Sequence, residues 1–397
     1  MLYLGIDVAK KSHVATLIDE QSKPLFKGFS FSNTTDGGAS LLSKLQTFIT
    51  STADVEIGME ATGHYWLPLY GFLIAKGFVV YVINPIQTDG WRKGIEIRKR
   101  KTDKIDSALI ADLIRYGDFV ASSLANENVM SLRNLTRFRH YLVDSISDLK
   151  RKTIALLDQV FPEYESFFTD VFGKSSSELL THFQTADDFA NITPDQLERA
   201  LSGIRMKNAT VNKLSKISQA AANSFGLKYC KDSFSLQIKL LIDQIRFIEA
   251  QVSDVESEIR TILYKLNANL TTIPGIGAVT GATILSEIGD IERFSTPSKL
   301  VAFAGLDASV SQSGEKAGYY KTSKRGSPYL RKALFQSALV AAFNDPVFSA
   351  FYTKKRNEGK HHYVAVVAVA RKLCYTIHAI LKNNTPYVVQ RRADNAT

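Results

Sequence analysis

Cysteine is almost missing from this chain: Cys230 and Cys374 are the two among 397 residues. That excludes a disulfide framework and a thiolate metal site, and makes a reducing cytosol the simplest setting. Long hydrophobic runs are also missing. Lys76 interrupts the stretch from Gly71 to Ile83, and Arg371-Lys372 breaks the late one, so no run reaches the roughly 18 apolar residues of a spanning helix and no membrane partner is expected. The N-terminus enters a strand at once, without a basic leader or small-residue cleavage site, so no signal peptide is expected. Gly173-Lys174-Ser175 has the form of a phosphate-loop tail, but Phe168 stands where the first glycine is required; nucleotide hydrolysis is not supported. Acidic residues are the minority charge, 39 against 49 Lys and Arg, for a net charge of +10. This balance favours a polyanionic partner, although an anionic membrane surface or an ordinary soluble protein would carry it equally. With 45% apolar residues, the length accommodates two or three well-cored domains rather than a disordered chain.

The informative acids are few. Asp7 ends an apolar strand (Leu2-Tyr3-Leu4-Gly5-Ile6-Asp7), Glu60 ends another (Val55-Glu56-Ile57-Gly58-Met59-Glu60), and Asp103 and Asp106 stand three apart at the start of a predicted helix. A carboxylate at the end of a buried strand is costly unless it faces a cleft or holds a cation. Asp103 and Asp106 at i and i+3 project from one helical face, so all four acids can converge as a ribonuclease H-type site holding a Mg²⁺ pair. The bland alternatives are a strand-end cap at Asp7 and an ion pair at Glu60. His13 and His64 read as surface or supporting residues beside these acids. The basic run Arg92, Lys93, Arg98, Lys99, Arg100, Lys101 and Lys104 is either a solvated loop or a track for a nucleic-acid backbone, with Trp91 available for stacking.

Periodicity divides the chain into three regions. Residues 1–125 alternate between strands and helices: a hairpin from Leu2 to Ile18, a helix around Leu41 to Ile49, strands at Val55 to Met59 and Phe78 to Ile83, and a helix from Tyr65 to Lys76 between them. Residues 126–268 form a helical connector. An a/d stripe runs from Leu132 to Val160, interrupted by Arg139 and Thr153, and a stricter one runs from Ile238 to Leu266. Two long helices follow, packed on each other or on a second subunit, with ordinary helical core as the alternative to a coiled coil. Thr193-Pro194-Asp195-Gln196 opens a helix in the mixed stretch between them.

Residues 269–397 begin with Ile273-Pro274-Gly275-Ile276-Gly277. A long helix precedes it and the spacing is G-x-G-x-x-x-G, so it is not a dinucleotide fingerprint. It reads as a helix-hairpin-helix turn whose Gly275 and Gly277 let backbone approach a phosphate, gripping DNA without reading sequence; a plain αα-hairpin is the alternative. Downstream, Ser311-Gln312-Ser313-Gly314 precedes Lys321, Lys324, Arg325, Arg331 and Lys332, a hydroxyl in a phosphate-binding setting. By itself Ser-Gly is a common turn. The cluster Lys354-Lys355-Arg356 with Lys360-His361-His362 points weakly the same way.

Five separated motifs, Gly-Ile-Asp-Val-Ala-Lys, Met-Glu-Ala-Thr-Gly-His-Tyr, Lys-Thr-Asp-Lys-Ile-Asp-Ser, Ile-Pro-Gly-Ile-Gly, and Gln-Ser-Gly with Ser-Lys-Arg-Gly-Ser-Pro-Tyr-Leu-Arg, occur in this order. In this the chain resembles the DEDD transposases of bacterial insertion sequences, relatives of the Piv invertase. The resemblance implies an α/β plus α fold: a RuvC-like (ribonuclease H-like) domain, long coiled-coil helices, and a mainly helical C-terminal transposase domain with a helix-hairpin-helix. It implies a DNA recombinase that excises and inserts its element, a bacterial cytosolic location, a homo-oligomer, and a structured guide RNA pairing with donor and target DNA. Carried over, Asp7, Glu60, Asp103 and Asp106 bind Mg²⁺ and Ser313 is the nucleophile, with Ser311 its rival. Other readings of the same residues are a junction nuclease using a metal-activated water and a non-catalytic architectural DNA-binding dimer.

Overall fold

The computed structural model describes residues 1–61, 63–95, 102–117, 119, 127–200, 208–309 and 321–389. It divides into two compact units, Met1–Ala125 and Asn126–Thr397. It is an α/β plus α molecule, a five-stranded mixed sheet together with many helices.

In the first unit, β1 (Leu2–Asp7), β2 (Ser12–Ile18) and β3 (Pro24–Ser32) form an antiparallel meander, followed by α1 (Thr35–Leu45), β4 (Val55–Glu60), α2 (Trp66–Ala75), β5 (Val79–Ile83), α3 (Pro85–Ile95) and α4 (Asp103–Tyr116). The sheet order is β3-β2-β1-β4-β5, with β1, β4 and β5 parallel. Central β1 and β4 are apolar because both of their faces are covered. Leu4, Ile6, Ile57, Met59, Leu41 and Leu73 share the core. On the sheet, Gly5 pairs with Gly58, and α4 lies over the pair. A Cβ on Gly5 would stand 2.0 Å from the Ser107 carbonyl oxygen and 2.3 Å from the Ala111 nitrogen, whereas one on Gly58 would meet the Cγ2 methyl of Ile114 at 2.8 Å. The bare backbone of these strands therefore sets how closely α4 approaches. A buried hydrogen bond between Thr16 Oγ1 and Ser107 Oγ, 2.8 Å, fixes the helix along β2.

The second unit opens with α5 (Glu127–Val160) and continues through α6 (Lys174–His182), α7 (Ala186–Ala190), α8 (Pro194–Ala200) and α9 (Asn208–Ala222) to α10 (Lys231–Leu266). Helices α5 and α10 pack on each other within the chain. Arg139 pairs with Glu256 at 2.8 Å and Lys150 with Glu249 at 3.4 Å, so the two run antiparallel. The interruptions in the α5 stripe are thereby explained: Arg139 meets an acid across the seam, and buried Thr153 donates to the Leu149 carbonyl one turn back. Phe161, Tyr164, Leu179, Phe183 and Phe189 give the small helices a core of their own. The expected helix start is present at α8, where Gln196 N donates to Thr193 Oγ1 and Gln196 Oε1 accepts from Thr193 N.

The remainder is a helical core of α11 (Ala278–Ile288), α12 (Pro297–Phe303), α13 (Pro328–Asn344), α14 (Pro346–Asn357) and α15 (His362–Asn383), with a small ladder of β6 (Ala308–Ser309) and β7 (Lys321–Thr322). Among the described residues α15 is the one helix long and apolar enough to cross a membrane, contrary to the expectation that Arg371-Lys372 would interrupt it. Half of its most apolar window is buried within the unit, and Val366, Val369, Leu373 and Ile377 sit in the core.

Candidate active site

The ends of β1 and β4 lie side by side, since Ile6 pairs with Met59 in parallel register. Asp7 and Glu60 follow these residues, at the carboxyl edge of parallel strands where open α/β sheets bind ligands. Helix α4 supplies the other two acids. Thr102 caps it by accepting from Ile105 N, and Asp103 and Asp106 occupy its first turn, where the helix dipole favours negative charge. Asp103 is exposed; Asp106 is 7% exposed.

The four carboxylates lie within one electrostatic field. Burial, then the negative charges of Asp106, Asp103 and Glu60, push the Asp7 carboxyl up to about 6, against a weaker opposing hydrogen bond from Val8 N. Mutual repulsion of this kind is relieved by a divalent cation, and an all-carboxylate oxygen set has the hardness that Mg²⁺ prefers. Among the described residues, however, no three acids, histidines or cysteines are gathered as ligands of one ion. Two of the acids have partners on α3. Thr88, buried and one turn before Arg92, places Oγ1 2.8 Å from Glu60 Oε2 and 3.0 Å from the Pro85 carbonyl. Arg92 Nη2 donates to Asp106 Oδ1 at 2.8 Å, both side chains largely buried. The donor type and the repulsion therefore suit Mg²⁺, and binding requires these acids to turn from their present partners toward a common ion.

Two expectations are corrected here. Of the basic run, Arg92 and Lys93 belong to α3, with Arg92 turned inward on Asp106 and Lys93 paired to Asp89 at 2.6 Å. Trp91 is not displayed for stacking; its ring packs on Tyr116 at 4.8 Å and its Nε1 is buried. Of the two readings of His13, surface or supporting, its burial excludes the surface one. The residue is 1% exposed, packs on Phe31, and accepts a 3.4 Å hydrogen bond from Ala9 N; burial lowers its pKa. His64 is exposed beside Tyr65. Arg98, Lys99, Arg100 and Lys101 lie outside the described residues, as do Ser311 and Ser313.

In the second unit the structure shows what surrounds the serine segment in sequence. Ser309 pairs with Lys321 across the β6–β7 ladder. Behind it two strands of backbone cross closely: a Cβ on Gly326 would lie 1.7 Å from the Phe303 carbonyl oxygen, and Gly305 has φ +65°. The crossing is closed by Lys324 N to Gly305 O, 3.1 Å, and Ser327 N to Phe303 O, 3.2 Å; Ser323 Oγ donates to Asp307. Lys324 and Arg325 are exposed.

The base of this segment is held by residues that the sequence reading did not single out. Glu287 on α11 is 3% exposed and accepts from Arg137 Nε at 2.7 Å, Arg137 Nη2 at 3.0 Å, and Ser327 Oγ at 2.8 Å. Ser327 also caps α13 by accepting from Leu330 N, and Arg137 stands 5.0 Å over the Tyr329 ring. The turn at Gly275 packs inward: with φ +92°, its missing Cβ leaves room for the α13 backbone, Ser337 O at 2.6 Å. Gly277 is exposed with open space around it, immediately before α11.

Comparison with known proteins agrees with these motifs. Residues 4–162 match a family described as transposase, of the DEDD IS110 type, and residues 267–353 match the transposase IS116/IS110/IS902 family. The chain is 30% identical to the transposase for insertion sequence element IS1111A of Coxiella burnetii, over 97% of this chain and 90% of the relative. It is 27% identical to an insertion element IS116 protein of Streptomyces clavuligerus, over 96% and 95%. It is 26% identical to the pilin gene-inverting protein of Moraxella lacunata, over 97% of each. Sheet, carboxylates, paired glycines and C-terminal motifs thus belong to a chain that is a member of the IS116/IS110/IS902 transposase family.

Proposed function

We propose that this transposase breaks and rejoins DNA by phosphodiester transfer, with a RuvC-like, ribonuclease H-type first unit polarising the phosphate and Ser313 acting as nucleophile. The strand order β3-β2-β1-β4-β5 and its antiparallel-then-parallel pairing support the fold assignment. The observation that carries the chemistry is the shared field of four carboxylates about Asp7 at the parallel strand ends. Asp7, Glu60, Asp103 and Asp106 would hold Mg²⁺, which when bound supplies charge neutralisation at the scissile phosphate.

The chain's own groups do the rest. The Ser313 oxygen forms a new phosphorus–oxygen bond as a deoxyribose oxygen leaves, and the serine proton passes to that leaving oxygen or to solvent. A DNA hydroxyl then attacks the phosphoserine and restores the strand. One ester replaces another at each step, so no nucleotide hydrolysis is needed. Lys321, Lys324 and Arg325 neutralise backbone phosphates, and the open approach at Gly277 before α11 serves non-sequence-specific DNA contact in the manner of a helix-hairpin-helix. Gly275 contributes through packing of that turn. Target choice is assigned to a structured guide RNA, and the working form to a homo-oligomer, both on the strength of the family resemblance.

Trapping tests the mechanism. Full-length protein with DNA carrying element ends and Mg²⁺ is expected to give a covalent protein–DNA adduct that vanishes in Ser313→Ala and in Asp7→Asn while DNA binding persists. Cleavage without an adduct in the wild type would instead establish hydrolysis by water. Sequencing of RNA that co-purifies with the protein tests the guide.

A further inference from the structure

We propose that Arg92 is a built-in counter-ion of the carboxylate cluster, a positioning residue that holds Asp106 in the metal-free protein and must release it when a divalent cation binds. The inference rests on the preceding reading of Asp7, Glu60, Asp103 and Asp106 as metal ligands and adds a competitor to that site.

Three observations carry it. First, Arg92 and Thr88 stand one helical turn apart on α3 and reach two different acids of the cluster, Asp106 Oδ1 at 2.8 Å and Glu60 Oε2 at 2.8 Å. One face of one short helix thus engages acids delivered by α4 and by β4. Second, the guanidinium is poorly rewarded for its burial. Its side chain is 18% exposed against 10% for Asp106, yet Arg92 Nε is buried without a hydrogen-bond partner among the described residues. A buried donor left unmatched is costly, so the pose is governed by charge more than by hydrogen-bond complementarity. Third, the described acids are not gathered as ligands of one ion, although Asp106, Asp103 and Glu60 all act on Asp7. A guanidinium neutralises negative charge through directional donors; a metal requires the same carboxylate oxygen lone pairs to point at one centre. An ion facing Asp106 Oδ1 therefore competes with the guanidinium for that oxygen and repels its positive charge.

The device has a clear physical benefit. Without an ion, four mutually repelling acids would loosen the packing of α4 on the strand ends, and Arg92 offsets part of that repulsion. Loading then becomes an exchange of one cation for another.

Selective ¹⁵N-arginine labelling of the full-length protein reads the exchange directly, with the Arg92 signal identified by its loss in Arg92→Lys. On titration with Mg²⁺ the Arg92 side-chain signal is expected to shift and its Nη groups to rotate more freely. In parallel, Mn²⁺ binding followed by electron paramagnetic resonance should tighten about tenfold in Arg92→Gln, the equivalent of about 1.4 kcal/mol, and by less in Arg92→Lys. An Arg92 signal unchanged at saturating Mg²⁺ overturns the proposal, and the conservative Arg92→Lys that assigns it keeps the positive charge. So does Mn²⁺ binding in Arg92→Gln that is equal to or weaker than wild type. If wild type binds Mn²⁺ in a manner abolished by Asp7→Asn and either of these results is found, the metal-site reading stands and only the exchange falls. If wild type shows no Asp7-dependent Mn²⁺ binding, both fall.

Discussion

Replacing Gly5 by alanine adds one methyl group and should nevertheless be among the most damaging changes in the first unit. Alanine ordinarily improves a strand position relative to glycine, by roughly 0.5–1 kcal/mol. At Gly5 the added Cβ would meet the Ser107 carbonyl oxygen at 2.0 Å and the Ala111 nitrogen at 2.3 Å, both main-chain atoms in the middle of α4. Ordinary contact begins near 3.4 Å, so the helix must retreat by about 1.4 Å or the strand must bend. Neither is a side-chain adjustment, and overpacking against backbone costs about 3 kcal/mol or more. The retreat would also move Asp103 and Asp106 away from Asp7, and stretch the 2.8 Å Thr16–Ser107 hydrogen bond. Gly58→Ala is the matched control: it is the cross-strand partner, but its new methyl meets side-chain atoms, the Cγ2 methyls of Ile114 and Ile110, at 2.8 and 3.1 Å. Small shifts of these side chains can absorb it more readily than main chain can, and a lower cost of about 1–2 kcal/mol is expected. Urea unfolding of the two full-length variants at pH 7, with the adduct-trapping assay alongside, measures both effects. Equal stabilities for the two variants would refute the argument that backbone contact at Gly5 sets the height of α4.

The other expectations are shorter. Asp7 binds its proton more tightly folded, at about 6, than at its ordinary 3.8, so metal-free protein should lose stability as pH rises from about 4 to 6 and level off above. After allowance for its partial exposure the fall should be about 1–2 kcal/mol, absent in Asp7→Asn and reduced by Mg²⁺; denaturant curves across pH 4–7.5 would show it, and a rise over that window would contradict it. Glu287→Ala strands the half-exposed Arg137 and removes a Ser327 contact, and should cost about 3 kcal/mol, against at most about 1 kcal/mol for Glu249→Ala in a solvated pair; thermal unfolding compares them. Lys324→Ala with Arg325→Ala should lower the slope of log K against log salt for DNA by about 1–2, measured by fluorescence anisotropy; an unchanged slope would remove them from the DNA interface.

The parts of this fold that could be read from sequence were those where a local pattern met a chemical anomaly. Apolar strands ending in Asp7 and Glu60 advertise themselves because charge at that place needs a reason. The start of α4 was likewise visible in Thr102-Asp103. Strand β3 was not, because a bulge at Gly28 breaks the alternation of Phe26, Phe29 and Phe31. Helix α1 begins at Thr35, earlier than expected: Gly37 and Gly38 argue against a helix locally but permit close packing, with Ser32 O 2.0 Å from a Cβ placed on Gly37. Arg92 looked like one more member of a basic run. Its pairing with Asp106 is a tertiary fact with no local signature, as is the meeting of Arg137 with Glu287 across 150 residues.

The crossing at Gly305 and Gly326 has an evolutionary meaning. The β6–β7 ladder and that crossing close the chain on itself, with Ser309 held opposite Lys321. A lineage of mobile elements is therefore expected to hold both glycines: a single side chain added at Gly326, 1.7 Å from the Phe303 carbonyl oxygen, would push apart the backbone that sets Ser309 opposite Lys321.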